Sequence, residues 1–371
     1  MNSAPLLQAA GQDHLELLTA NDRAWLAEVF AEDTPDPGTI TLSELKALSP
    51  RERERFRRCR TRFLRMMPLL ETPVVTEVMR TLRLLATSSI RSDLHQQDIP
   101  ILDGEPGVGK THILKTHAGE EMWRLALHRS LDLEDRTAPK LTTFRPVLYV
   151  HLRGPMTRYD LLRLLLDQLA WPSDRNPQHA FETAVTACGV QLVIIDEIQH
   201  VNFDGKTGRD VHNIIRWMSN YGLRVILSGT DIDWVLNAGG APAVEVAARN
   251  SRGRWIRVDV PKLETRTGSE RENWRDLIYA FETRLRLAAA PTTDGWLTDQ
   301  FAEYIWARTQ GYLNSVVLLI NLAAAHAIDA GTETITHDTL ESIDLEYEVE
   351  RQRPQHVALL NARSRAGASA P

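Results

Sequence analysis

Cysteine is scarce in this chain: only Cys59 and Cys188 occur among 371 residues, and they lie far apart. Two such positions provide neither the paired spacing of a cysteine-based zinc site nor the closely spaced set of a disulfide framework. The sequence therefore excludes small disulfide-stapled scaffolds and cysteine-based zinc modules. A reducing compartment suits such a chain, and we expect a cytoplasmic protein.

Long apolar runs are also missing. No window approaches the roughly 18 uninterrupted apolar residues that indicate a membrane-spanning helix. The first residues, MNSAPLLQAAGQDHLELL, lack the basic flank and apolar stretch of a signal peptide. We therefore expect no membrane partner. An excess of basic residues is absent as well, since the formal net charge is −6, so binding of nucleic acid would depend on local clusters of arginine.

The composition that remains is that of a globular protein, with 43% hydrophobic and 25% charged residues. From about residue 98, short apolar runs alternate with helical patterns, which predicts an α/β fold with a parallel five-stranded sheet. The strands are predicted at 98–102, 146–152, 191–196, 223–228 and 254–260. The helices between them are predicted at about 110–129, 157–170, 177–188 and 208–221, with a shorter one near 241–250.

Helical patterns dominate on both sides of this region, before residue 90 and after Pro261. The length and these changes of pattern predict four parts. They are an N-terminal helical extension at 1–90, the α/β domain at 91–261, a small C-terminal helical lid domain at 262–347, and a tail at 348–371. The tail is small and polar, so we expect it to be disordered.

The loop after the first predicted strand matches G-x-x-x-x-G-K-[ST] without a mismatch. Its glycines let backbone N–H groups turn toward phosphate oxygens, and the following helix offers its positive end. Lys110 is expected to reach the β- and γ-phosphates, and the Thr111 hydroxyl is expected to bind Mg²⁺. The alternative is a simple glycine-rich turn. The sequence thus predicts an ATP and Mg²⁺ site with a nucleotide-binding loop of Gly104, Glu105, Pro106, Gly107, Val108, Gly109, Lys110, Thr111 and His112.

The apolar segment VQLVIIDEIQHV predicts a central strand that ends in Asp196 and Glu197. Functional side chains in such sheets lie at the carboxyl ends of strands. Asp196 is therefore expected to hold the Mg²⁺ shell, and Glu197 to orient and polarise the attacking water. The next strand, in GLRVILSGT, offers Ser228 or Thr230 as a polar sensor beside the γ-phosphate. The alternatives are two solvated acids and an ordinary strand end.

Arginines precede the last predicted strand in the segment ARNSRGRWIRV. An arginine that projects from there is placed to enter the site of a neighbouring subunit and to stabilise charge on the transferred phosphoryl group. Arg252 is the first choice for this role and Arg249 the second, and the alternative is that both are ordinary surface arginines. The predicted catalytic residues are thus Glu197, Lys110, Arg252 and Arg249.

These motifs together resemble the AAA+ ATPases. More narrowly, GEPGVGKTHIL, LVIIDEIQHV and LRVILSGT resemble the TniB/TnsC family of MuB-like transposition ATPases, over roughly residues 40–330. The resemblance implies assembly with ATP as a ring or helical filament on double-stranded DNA, without sequence preference. It also implies recruitment of a DDE-type transposase, loading by a target-selection protein, and ATP hydrolysis that controls disassembly.

One residue expected from the AAA+ resemblance is missing. These proteins commonly place a sensing arginine just after a glycine, at the start of a helix in the C-terminal domain. Here Gly311 is followed by Tyr312-Leu-Asn-Ser. We therefore expect intact nucleotide binding and slow hydrolysis. Two other functions stay open: an AAA+ replication initiator or loader, which predicts a C-terminal DNA-binding helix-turn-helix, and a signalling switch NTPase, which predicts a protein-interaction repeat.

Two stretches are candidates for contact with DNA. The AAA+ resemblance places HLRGPMTRYD near the pore of a ring, so Arg153, Arg158 and, further along, Arg175 are expected to track the DNA backbone. The stretch Arg51–Arg65 holds eight arginines and two glutamates, which cover more than one face of a predicted helix. Its outward arginines are expected to contact phosphates or an acidic partner. The alternative is a solvated amphipathic helix packed on the ATPase core.

Overall fold

The computed structural model describes residues 12–30, 34–88, 98–173, 175–200, 205–230 and 255–368. The chain divides into two units, which are described separately. The α/β unit comprises Met1–Phe30, Val74–Pro106 and Lys110–Val260, and the helical unit comprises Ala31–Pro73, Gly107–Gly109 and Pro261–Pro371. The first 90 residues, expected as a single extension, are therefore shared between the two units.

A five-stranded parallel sheet lies at the centre of the α/β unit, with the strand order β2-β3-β4-β1-β5. The strands are β1 (Ile99–Asp103), β2 (Val147–His151), β3 (Leu192–Asp196), β4 (Arg224–Gly229) and β5 (Trp255–Asp259). The five predicted strands are confirmed, each with both ends within one residue. Every residue of β1 and β3 is buried. A parallel strand that is buried on both faces is apolar along its length, which is why short apolar runs predict these strands. In the sheet β4 separates β1 from β3, although β2 is the strand between them in sequence.

The helices in the described residues are α1 (Ala20–Val29), α2 (Leu42–Ala47), α3 (Pro50–Arg65), α4 (Pro73–Ser88), α5 (Lys110–Glu134), α6 (Arg158–Gln168), α7 (Pro177–Cys188), α8 (Gly205–Asn220), α9 (Gly268–Glu282), α10 (Trp296–Thr309), α11 (Leu313–Asp329), α12 (His337–Glu341) and α13 (Tyr347–Ala368). The four predicted helices of the α/β region correspond to α5, α6, α7 and α8. The stretch predicted near 241–250 lies outside the described residues. No described helix is long and apolar enough to cross a bilayer.

Helix α1 is attached to the α/β unit by a buried ion pair. The Arg145 guanidinium donates two hydrogen bonds, of 3.0 and 2.7 Å, to the carboxylate of Asp22, which is 3% exposed. Close packing adds to this attachment, since a Cβ atom at Gly119 of α5 would lie 2.9 Å from the Phe30 ring. The ring of Trp25 lies near that of Tyr149 on β2, with centroids 6.2 Å apart. This part of the N-terminal region is therefore integral to the α/β unit.

The helical unit has its own core, formed by α3 and α9 to α13. Aromatic residues such as Trp274, Phe281 and Trp306 lie in this core together with Leu64 of α3. Helix α3 begins with a capping box, in which Ser49 and Glu52 exchange side-chain and backbone hydrogen bonds. The predicted arginine-rich helix is thus present, and it belongs to the same unit as the C-terminal helices.

The tail differs from the expectation of disorder, because α13 extends from Tyr347 to Ala368. Its first turns are held by charge-assisted hydrogen bonds. Glu350 accepts a 2.7 Å bond from the buried Arg308, and Arg353 donates to Glu341 at 2.6 Å. Composition alone did not reveal these anchors, since their partners lie more than ten residues away in sequence.

Candidate nucleotide site

The glycine-rich loop connects the buried strand β1 to the first residue of α5. Gly107 and Gly109 have φ angles of 82° and 100°, which side-chain-bearing residues rarely adopt. Glycine at these two positions therefore lets the loop turn tightly into the helix. Lys110 folds back along the loop, and its Nζ donates to the carbonyl oxygens of Gly104 at 2.6 Å and Glu105 at 2.9 Å.

Lys110 is 5% exposed. Burial lowers its pKa from the ordinary value, and the carboxylates of Glu197, Asp196 and Asp103 act in the opposite direction. The ammonium group thus lies among acidic residues at the carboxyl end of the sheet. A cation in this position is suited to binding the phosphates of a nucleotide, as the loop motif predicts.

Asp196, the last residue of β3, is the centre of the predicted metal site and is fully buried. Its Oδ2 accepts hydrogen bonds from the hydroxyls of Thr111 at 2.7 Å and Tyr149 at 2.8 Å, and His151 Nδ1 lies 3.2 Å away. Its Oδ1 accepts bonds from the Ser228 hydroxyl at 2.7 Å and from the backbone N–H of the next residue at 3.1 Å. The structure therefore brings Thr111, Asp196 and Ser228 together from three elements.

These bonds decide the charge of Asp196. Burial alone raises the pKa of a carboxyl group, because the charged form loses its water. The hydrogen bonds from Ser228, Thr111, Tyr149 and His151 outweigh that effect and hold the pKa of Asp196 below its ordinary value. A buried carboxylate that stays charged, beside a threonine hydroxyl, has the hard oxygen chemistry that Mg²⁺ requires.

Glu197 follows the strand in a strained backbone conformation, with φ of 62°. Its Oε2 accepts a hydrogen bond from the side-chain amide of Gln199. The other end of that amide accepts a 3.2 Å bond from the backbone N–H of Thr230. Gln199 thus connects the predicted catalytic glutamate to the residue after β4, so Glu197 is held beside Asp196 in a defined position.

Three residues of this network were not predicted: Tyr149, His151 and Gln199. Tyr149 and His151 are two residues apart on β2, so they share one face, and His151 pairs in register with Asp196. That signal becomes visible only when β2 is known to neighbour β3. Gln199 lies within the segment VQLVIIDEIQHV, but nothing in that pattern predicts a role for its side-chain amide.

The remaining predicted residues lie at the edges of the site or outside the described residues. Glu105 and Pro106 are exposed, Val108 is buried, and His112 is half-buried on the first turn of α5. Burial lowers the pKa of His112 from its ordinary value, and Lys115 adds to this. Arg249 and Arg252 lie outside the described residues.

The predicted DNA-contacting arginines lie on two segments of the α/β unit. Arg153 is exposed in the loop after β2, and Arg175 is exposed just before α7. Arg158 begins α6, where its guanidinium lies 4.6 Å from the centroid of the Tyr159 ring and donates a 2.6 Å bond to the Tyr159 hydroxyl. Their contact with DNA stays a prediction.

Comparisons with known proteins agree with the geometry. Residues 92–233 match a family profile described as an AAA domain. Among curated proteins, none matches the chain by sequence. The structure is similar to Cdc6p from Pyrobaculum aerophilum, with 15% identity and a TM-score of 0.50 over 72% of this chain. It is also similar to the ORC1 protein of Aeropyrum pernix, solved in complex with DNA, with 15% identity and a TM-score of 0.51 over 74% of this chain.

In both cases this chain spans 65% of the other protein's length. At such identity the likeness concerns the fold alone, and the TniB/TnsC resemblance stays a prediction. The profile match, the loop and the strand order agree with one another. Residues 92–233 therefore match the AAA domain, and the chain has the P-loop α/β fold of the AAA+ ATPases.

Proposed function

We propose that this protein is an ATP-dependent regulator of DNA transposition, which assembles on double-stranded DNA and recruits a DDE-type transposase. The observation that carries the ATPase part is the Asp196 network, in which a charged, buried carboxylate accepts a hydrogen bond from the hydroxyl of Thr111. The part that concerns transposition rests on the TniB/TnsC resemblance of the three motifs. ATP hydrolysis then controls disassembly.

The residues of the loop have distinct roles in this proposal. Backbone N–H groups of Gly107–Thr111 and the ammonium group of Lys110 bind the phosphates. Thr111 and Asp196 would hold Mg²⁺, which would neutralise charge on the phosphate oxygens. In this role Lys110 exchanges its two loop carbonyl partners for phosphate oxygens, which are stronger acceptors because they are charged.

Hydrolysis requires a water molecule held in line with the γ-phosphate. Glu197 orients this water and accepts its proton, and Gln199 fixes the carboxylate by its hydrogen bond. Ser228 supports Asp196, and Thr230 is joined to Glu197 through Gln199. We propose Arg252, or else Arg249, as the residue that completes the site of a neighbouring subunit. Slow turnover follows from the absence of an arginine in the four residues after Gly311.

Double-stranded DNA is the proposed scaffold for a homo-oligomeric ring or filament, contacted by Arg153, Arg158 and Arg175. Contacts of this type go to phosphates, so binding should depend steeply on salt and little on sequence. A target-selection protein is the proposed loading partner. No membrane partner is proposed.

Electron microscopy on long duplex DNA tests this function. With a slowly hydrolysed ATP analogue, wild-type protein should form ordered assemblies, and Lys110→Ala should not. Lys115→Ala is the matched control, because Lys115 lies on the same helix outside the loop. Glu197→Gln should keep bound ATP and stabilise the assemblies. Absence of assemblies in every nucleotide state would refute the proposal, and unchanged turnover of Glu197→Gln would refute the catalytic assignment.

A replication initiator is the second candidate, because the fold is similar to that of Cdc6p and ORC1. Sequence preference separates the two functions. A transposition regulator should bind unrelated duplexes with equal affinity. Strong preference for one duplex sequence, measured by competition, would favour the initiator and exclude our first proposal.

A further inference from the structure

Helix α3 carries a row of arginines on one face. Residues 51, 55, 58, 62 and 65 follow one another at intervals of four, three, four and three, so they fall within an arc of about 80° on the helix. We call this set the arginine row: Arg51, Arg55, Arg58, Arg62 and Arg65. All five are exposed. The row spans 15 residues of helix, and the 14 steps between its ends correspond to about 21 Å.

The opposite side of α3 fixes the helix in the helical unit. Arg60 is buried there and forms a bidentate ion pair with the buried Glu333, with distances of 2.6 and 2.8 Å. Phe63 and Leu64 are buried on the same side, and Arg284 donates to the backbone carbonyl of Phe63 at 2.6 Å. The C-terminal half of the helix that carries the row is therefore anchored in the helical unit, and the helical backbone fixes the spacing of the arginines.

Most of the row has no acidic partner among the described residues. Glu54 pairs with Arg58 at 3.1 Å. Arg51, Arg55, Arg62 and Arg65 form no ion pair in the part of the chain that the structure describes. Like charges at these spacings repel one another and weaken a helix. These four guanidinium groups, in a chain whose net charge is −6, are therefore accessible to an external anion.

The residues beside the row narrow the class of anion. Its flanks carry Glu54, Cys59 and Thr61, and no large apolar or aromatic side chain. A membrane-surface helix needs an exposed apolar face, and the core of a protein interface is enriched in aromatic residues. Single-stranded nucleic acid is usually held by stacking on aromatic rings. None of these features is present on this face of α3.

Duplex DNA is an anionic partner that needs no apolar or aromatic contacts, so it is compatible with this face of α3. Guanidinium groups bind phosphates with directed, charge-assisted hydrogen bonds, and duplex DNA presents phosphates at about 3.4 Å per strand, so the row covers roughly six base pairs. We propose that the arginine row of α3 binds the phosphate backbone of duplex DNA. This proposal rests on the proposed function and adds to it a DNA-contacting surface on the helical unit.

The test is fluorescence anisotropy with a long labelled duplex, full-length protein and an ATP analogue, over a series of salt concentrations. The row variant replaces Arg51, Arg55, Arg62 and Arg65 with glutamine. The matched control replaces Arg266, Arg271, Arg275 and Arg351, which are surface arginines of the same unit, with glutamine. Both variants lose the same charge, and thermal unfolding verifies that both keep the fold.

The row variant should bind at least about tenfold more weakly at about 0.1 M salt. The magnitude of its slope of log K against log salt should fall by about 3.6, since each of the four lost phosphate contacts removes about 0.9. The control should bind as the wild type does. Equal weakening of both variants would mean an effect of net charge and would overturn the proposal. So would loss of binding to phosphatidylserine vesicles by the row variant with duplex binding intact.

The two proposals fail in different ways. If wild-type protein assembles on DNA with nucleotide and the row variant does so equally well, the row proposal is wrong and the proposed function stands. If the row variant loses DNA binding while Lys110→Ala keeps it, the row proposal stands and nucleotide-dependent assembly is wrong. If wild-type protein binds nucleotide and no DNA, both are wrong.

Discussion

Removal of Arg60 should test how firmly α3 is attached to the helical unit. Arg60 and Glu333 are 4% and 2% exposed, and they share two short hydrogen bonds of 2.6 and 2.8 Å. Arg60 also donates to the backbone carbonyl of Arg286 at 3.1 Å, and Glu333 accepts a 3.1 Å bond from the backbone N–H of Ala288. Both charges are thus compensated inside the protein.

The variant Arg60→Ala leaves the carboxylate of Glu333 buried with a single backbone donor. Breaking a buried ion pair from one side costs about 3–5 kcal/mol, because the remaining charge has lost both water and partner. The double variant Arg60→Met with Glu333→Gln removes both charges and keeps an acceptor for Ala288. It should recover more than half of the loss, since replacement of a whole buried pair is often nearly neutral.

Urea-induced unfolding measured by tryptophan fluorescence is the assay, because Trp274 and Trp306 lie in the core of the helical unit. Arg58→Ala is the control: its side chain is 81% exposed and pairs with Glu54, so it should cost less than about 1 kcal/mol. If Arg60→Ala costs no more than Arg58→Ala, the ion pair does not anchor α3. If the double variant lowers the free energy of unfolding by as much as Arg60→Met and Glu333→Gln do together, the destabilisation comes from lost packing and not from an unpaired charge.

Three further predictions concern backbone strain, the pH dependence of stability and the hydrogen bonds of Asp196. Gly311→Ala should destabilise the helical unit by about 2–5 kcal/mol in urea unfolding, because its φ is 81° and a Cβ would meet a backbone oxygen at 1.9 Å. Gly331→Ala is the control: its φ is 69° and the space around it is open, so it should be destabilised by backbone strain alone. His117 is fully buried, and burial lowers its pKa to about 4. Its contribution to stability is therefore full above the unfolded pKa of about 6.5 and falls by about 3 kcal/mol as the pH approaches 4. The free energy of unfolding, measured over a pH series, should depend less on pH for His117→Leu. Tyr149→Phe removes one donor from Asp196 and should lower the free energy of unfolding by about 1.5–3 kcal/mol at pH 7. Because this bond helps to lower the pKa of Asp196, the difference should shrink below pH 4, and a constant difference would contradict this reasoning.

The strands and the loop were predictable because their signals are local. A run such as LVIID is apolar throughout when a parallel strand is buried on both faces, and β3 is buried at each of its five residues. The loop motif likewise specifies its own backbone, since Gly107 and Gly109 adopt the positive φ angles that only glycine tolerates well. Thus the fold class and the core of the nucleotide site follow from residues that are adjacent in sequence.

Features that depend on distant partners were not predictable. Tyr149 and His151 join the site only because β2 is placed beside β3, and strand order is not written in any single strand. The ordered start of α13 depends on Arg308, more than 40 residues earlier than Glu350. For α3 the sequence showed many arginines on several faces. The exposed row is defined by the burial of the opposite side of the helix, which contains Arg60.

The hydrogen bonds of Asp196 suggest different roles for Asp196 and Thr111 in the proposed cation site. A carboxylate has about four lone-pair positions, and protein groups from β2, β4, α5 and the residue after β3 already approach both of its oxygens. Thr111 is in the opposite situation, because its hydroxyl donates its only proton to Asp196 and keeps both lone pairs. In the proposed site the Thr111 oxygen would therefore contact Mg²⁺ directly, and Asp196 would help to hold the metal by orienting that hydroxyl and supplying the negative charge. Since the donors to Asp196 come from both neighbours of β3 in the sheet, a shift of either strand would change the geometry of the proposed cation site.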